Sequence, residues 1–189
     1  MMMDHSSKIL IPDYHPFVLQ SFGAISFPIF GYSIFKGFYR SQHFTRYLIN
    51  VLLCALLSQS IYSSLFFGYN AIWSLLLGLV FLYLKKRYCK KVYAGVLPFV
   101  LYGIASPEIF IIFIFDAFQD DSKRLIFYTC LFFVGLSICV NQFFYLFSPL
   151  VLVLFFLPEI KIHLHKYFFY LFYPIHLYII AWLLPFFKI

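Results

Sequence analysis

The sequence predicts an all-α, polytopic integral membrane bundle of about eight transmembrane helices in one domain over residues 1–189. Three observations carry this. Apolar residues are 63% of the chain and charged residues 11%, against about 45–50% and about 25% in soluble domains. Twenty-eight Phe and sixteen Tyr exceed what a soluble core of this size can hide. The apolar runs are continuous, as in Val51–Leu57 and Val151–Leu157, whereas a membrane β-barrel needs segments of about ten residues with alternating polarity. The same composition excludes a water-soluble monomer. It also excludes disorder, which needs low hydrophobicity and high net charge. Met1–Met3 run directly into Asp4 and His5 with no basic segment before an apolar core, so no secretory signal peptide is expected.

The apolar stretches predict helices in order. The first, 17–35, ends at Lys36 and contains Pro28. The second, 47–67, follows Arg46 and ends at the uncharged junction Tyr69–Asn70. The third, 71–84, opens after Asn70, a capping residue type, and stops at Lys85. A fourth, 92–105, contains Pro98 and ends at Ser106–Pro107. The pieces 108–118 and 149–158 are shorter than the roughly 20 residues of a perpendicular span, and they are expected as re-entrant or broken helices. Between them, 125–145 follows Lys123 and Arg124 and ends at a turn near Phe147–Ser148. The last, 167–187, follows Lys166 and contains Pro174 and Pro185. Proline removes a backbone donor and kinks a helix, which membrane bundles tolerate where neighbours satisfy the freed carbonyls.

Charge supports eight crossings independently. Basic residues fall in every second connection: Lys36, Arg40 and Arg46; Lys85, Lys86, Arg87, Lys90 and Lys91; Lys123 and Arg124; Lys161 and Lys166. Twelve of the fourteen Lys and Arg thus share one side, which the positive-inside tendency makes cytoplasmic, with both termini outward. The net charge of +7 therefore reflects topology and contact with membrane lipid, and no nucleic-acid partner is expected. Cys54, Cys130 and Cys139 lie in apolar runs and Cys89 in a basic loop; none has metal-ligand spacing, so all four read as free thiols.

Polar groups in hydrocarbon are costly, so each one is a site candidate. His176, in Tyr173-Pro174-Ile175-His176, is the strongest: a neutral imidazole there can act as a general base, with a carbonyl freed by Pro174 to orient it. Packing against a neighbouring helix is the alternative. Asp4 and His5, an adjacent acid and imidazole, can share a proton or bind a nucleophile, or form a solvated chain start. Arg40 and Arg46 can clamp the phosphates of a cofactor, or serve topology and anionic lipid. The cluster Lys85–Lys91 reads as topology. His163 and His165 lack a third ligand, so no metal site is expected. Ser58, Gln59, Asn70 and Asn141 can hold helices together. Asp116 is expected to reach the interface. There is no Gly-rich phosphate loop, no Gly-x-Ser-x-Gly elbow and no paired intramembrane carboxylate.

Several segments together resemble a known family. They are Met3-Asp4-His5, Phe22-Gly23-Ala24-Ile25-Ser26-Phe27-Pro28-Ile29-Phe30, Lys36-Gly37-Phe38 and Arg46-Tyr47-Leu48. They continue with Leu57-Ser58-Gln59-Ser60-Ile61-Tyr62, Asn70-Ala71-Ile72-Trp73-Ser74-Leu75-Leu76-Leu77-Gly78 and Phe168-Phe169-Tyr170-Leu171-Phe172-Tyr173-Pro174-Ile175-His176-Leu177. The chain resembles the TraX family, membrane proteins named for the conjugative F-pilin acetylase. From 85 to 165 it matches in general character. It has Ala24 where the family usually carries a basic residue, and three methionines where the family has a further apolar helix. The resemblance implies N-acetylation of a pilin or fimbrial subunit with acetyl-CoA as donor, in a bacterial inner membrane. It strengthens Asp4 and His5 as catalytic candidates beside His176. A non-catalytic pilus assembly factor and an O-acyltransferase of a surface sugar or lipid stay open. A transporter should show inverted repeats or intramembrane charges, and neither is visible.

Overall fold

The computed structural model describes residues 17–66, 68–88, 95, 109–140, 143–152 and 168–187. Among these there is no strand. In chain order they form α1 (Phe17–Arg40), α2 (Phe44–Leu65), α3 (Ala71–Arg87), α4 (Phe110–Phe118), α5 (Ser122–Val140), a 3-10 helix (Phe143–Leu152) and α6 (Phe168–Phe187). The expected helix at 92–105, apart from Gly95, lies outside the described residues.

Several boundaries differ from the sequence reading. Lys36 and Arg40 lie within α1, and Lys85, Lys86 and Arg87 form the last turn of α3. The first basic residue marks where the apolar stretch stops, but not where the helix stops. Cations are favourable in a last turn because the helix carboxyl end bears partial negative charge. The expected turn at Phe147–Ser148 is wrong. Both residues lie within the 3-10 helix, where Ser148 is buried and its hydroxyl donates to the carbonyl of Ala24 at 3.1 Å. That bond satisfies the buried hydroxyl.

The elements α1, α3, α4, α5 and the 3-10 helix pack in a closed ring, with α2 against α3 and α6 along α2. The short helix α4 is apolar except for Asp116 and is largely buried, at Ile111, Ile112, Phe113 and Phe115. Small residues admit it: a Cβ on Gly31 of α1 would meet Ile111 at 3.2 Å, and one on Gly78 of α3 would meet Ile112 at 2.5 Å. Rings fill the rest, as where Tyr32 meets Phe115 edge-on at 5.9 Å.

The outer surface carries many large apolar side chains. Leu53, Leu56 and Leu57 on α2, Phe127, Leu131 and Ile138 on α5, and Ile175 and Tyr178 on α6 are exposed, and Trp182 is 68% exposed. Soluble monomers rarely show contiguous apolar surface on this scale. Two helical stretches, Phe44–Leu65 and Ser122–Cys139, are long and apolar enough to cross a membrane.

Candidate functional site

A cavity of about 410 Å³ lies between α1, α2, α3 and α6. Its wall is largely apolar, with Ile29, Phe30 and Ile34 from α1, Val51 from α2 and Leu75 from α3. Tyr47, Tyr170, Tyr173, Ser33 and Cys54 supply its few polar atoms. At one end Gly37 faces Tyr47 so closely that a Cβ would stand 2.5 Å from the phenol oxygen. Glycine is required there because the ring occupies the space a side chain would take.

His176 adjoins the wall of this cavity. Along α6, Tyr173, His176, Leu177 and Ile180 are buried while Leu171, Ile175, Tyr178 and Ile179 are exposed, the pattern of a helix with one face packed. His176 is 2% exposed. Its ring packs against Phe172 and Tyr173, with centroids at 5.5 and 5.1 Å, and both of those residues line the cavity. Its Nδ1 stands 3.0 Å from the carbonyl oxygen of Phe172. A carbonyl only accepts, so Nδ1 carries hydrogen and Nε2 is the basic nitrogen of the neutral ring. The orienting carbonyl is therefore that of Phe172, one turn before His176, and not the Tyr170 carbonyl that Pro174 leaves without its usual donor.

Arg40 ends α1 and Arg46 lies in the first turn of α2, joined by the short connection 41–43. Both are exposed. Arg40 follows Gly37 by three residues and Arg46 directly precedes Tyr47, so both arginines belong to the end of the bundle where Gly37 and Tyr47 line the cavity. Planar, always-charged guanidinium groups suit phosphate. Asp4 and His5 lie outside the described residues. Ala24 is buried against the 3-10 helix.

A family model described as TraX protein matches residues 1–184. The chain belongs to the TraX family. No curated protein and no solved structure matches it.

Within this TraX chain two polar groupings lie beyond the cavity. Asp116 is 4% exposed, which corrects the expectation that it reaches the interface. One carboxylate oxygen accepts from the Tyr39 phenol and the other pairs with the Lys85 ammonium. The sequence reading gives Lys85–Lys91 to topology; the Lys85 side chain turns inward because α4 brings a carboxylate to the end of α3. Tyr39 lies past the apolar stretch of α1. Partial burial and then its bond to Asp116 raise its pKa above the ordinary phenol value, which keeps it a donor. At the other end of the bundle, Asn70 caps α3 by accepting from Ile72 N at 2.9 Å, and its amide donates to Ala55 O of α2 at 3.1 Å. Gln59 Oε1 accepts from both Asn70 N and Trp73 Nε1 at 3.0 Å, and Gln59 Nε2 donates to Gly68 O. Gly68 has φ +96°, which a side chain would strain, so the α2–α3 turn needs glycine there.

Proposed function

We propose that this TraX-family chain is a multi-pass protein of a bacterial inner membrane, with eight crossings and its basic connections in the cytoplasm. It transfers an acetyl group from acetyl-CoA to the amine of a pilin or fimbrial subunit, in pilus biogenesis. The buried imidazole of His176, oriented by Phe172 and resting on the cavity wall, carries this reading. The oily outer faces of α2, α5 and α6 support the membrane setting.

In this account Arg40 and Arg46 hold donor phosphates on the cytoplasmic side, where acetyl-CoA is found. The cavity leads inward from their end to the wall that His176 backs. His176 Nε2 accepts the acceptor's N–H proton as the C–N bond forms at the thioester carbonyl. It returns that proton to sulfur as the C–S bond breaks, giving the amide and free CoA thiol. A positioned general base contributes about 10²–10⁴ in rate. Asp4 and His5 enter this proposal on the family resemblance alone.

The test is the intact mass of pilin from cells carrying His176→Ala. Loss of the acetyl mass is expected. An acetyl mass that persists at wild-type level would remove His176 from the mechanism. Pilus output that falls while pilin mass stays the same in the presence and absence of the gene would instead make the chain a non-catalytic assembly factor.

A further inference from the structure

The cavity has two unlike parts. Its interior is apolar, lined by Ile29, Phe30, Ile34, Val51 and Leu75. Its end at Gly37 and Tyr47 lies toward Arg40, the last residue of α1, and Arg46, in the first turn of α2. An oily interior with two exposed guanidinium groups at one end complements a molecule with a hydrocarbon tail and an anionic head. The size agrees. A methylene is comparable to a water molecule, whose share of liquid volume is about 30 Å³, so the cavity takes about a dozen heavy atoms. From Gly37 to Ile29 the α1 wall is about 12 Å long, at 1.5 Å per residue. A chain entering from the basic end leaves its phosphate level with the arginines, which is where a cytoplasmic-leaflet headgroup sits.

We propose that the cavity is a binding site for an anionic phospholipid of the cytoplasmic leaflet. One acyl chain lies between α1, α2 and α6, and the phosphate sits on Arg40 and Arg46. Each arginine contributes about a fivefold preference for the anionic lipid. The site does not depend on the acetyl-transfer reading. One consequence does rest on that reading: a lipid seated here occupies the donor's phosphate contacts, so anionic lipid competes with acetyl-CoA.

The full chain is placed in nanodiscs of phosphatidylcholine with one part in five of phosphatidylglycerol, then released for native mass spectrometry. One retained phosphatidylglycerol per chain is expected, in preference to phosphatidylcholine. The double substitution Arg40→Gln and Arg46→Gln should lower that preference by more than tenfold, and Val51→Trp should abolish retention by filling the cavity. A second measurement guards against a misfolded variant. With Cys89, Cys130 and Cys139 changed to Ser, decyl methanethiosulfonate should modify Cys54 on the cavity wall, and phosphatidylglycerol should slow that reaction severalfold. Equal retention of the two lipids overturns the proposal, as does phosphatidylglycerol retained unchanged in both variants, which means annular binding only. Cys54 labelling indifferent to phosphatidylglycerol overturns it too. Acetyl-CoA that fails to displace a retained lipid removes the competition while leaving the lipid site standing.

Discussion

Lys85 and Asp116 form an ion pair that ties the last turn of α3 to α4, with side-chain exposures of 21% and 0%. The Tyr39 phenol completes it from α1, so one carboxylate joins three helices. Removing one partner of a buried pair leaves the other charge uncompensated, which costs more than the pair contributes. Lys85 keeps some access to water, which moderates that cost. Asp116→Ala should therefore destabilise by about 1–3 kcal/mol. The double change Lys85→Met with Asp116→Leu should recover most of the loss, because no charge is then buried. Thermal unfolding in detergent, followed by tryptophan fluorescence, checks both. A double variant no more stable than Asp116→Ala would refute this account of the pair.

Gly37→Ala should destabilise by about 1–3 kcal/mol, because the new Cβ meets the Tyr47 ring, which cannot yield as a flexible chain can. Gly135→Ala is the matched control. It lies inside α5, with nothing within 4 Å of the added carbon, and should stabilise by about 0.5–1 kcal/mol through helix propensity. The pair of melting temperatures separates a packing requirement from a generic glycine effect.

Asn70→Ala removes a cap and a tie to Ala55 at once, and should lower stability by about 1–3 kcal/mol. Gln59→Ala acts on the same turn by freeing the donors of Asn70 and Trp73. The two changes should fall short of additivity by about 0.5 kcal/mol or more in a double-mutant cycle, since Gln59 holds the backbone N–H of the residue whose side chain caps α3, so both act on one turn. Full additivity would mean that the bonds around the turn act independently.

What the sequence made legible divides along physical lines. The helices at 71–87 and 168–187 were readable because continuous apolar runs and a capping Asn leave few alternatives. His176 stood out because a single imidazole in an apolar run has no cheap explanation. The Lys85–Asp116 pair was not readable: its members are 31 positions apart, and only the packing of α4 on α3 brings them together. Lys85 looks like its neighbours Lys86 and Arg87 until that packing is known. Tyr47, Tyr170 and Tyr173 line the cavity, yet nothing sets them apart from the chain's other tyrosines. The 3-10 helix was missed because Pro149 in an apolar run reads equally as a break or as a tightened turn.

Thr129 supplies a test in which stability should rise. Its side chain on α5 is fully buried, and its hydroxyl oxygen has no hydrogen-bond partner among the described residues. A buried hydroxyl without a partner gives up its hydrogen bonds to water and gains none in return. Valine has the same branched shape at Cβ, so Thr129→Val exchanges a desolvated hydroxyl for a methyl with little change in packing. The exchange should stabilise by about 1 kcal/mol, seen as a higher melting temperature in detergent. Thr129→Ser keeps the hydroxyl and loses the methyl, and should melt below wild type. If Thr129→Val melted lower than wild type, the hydroxyl would have a partner in the folded chain, and α5 would be held by a polar contact at that point instead of by shape alone.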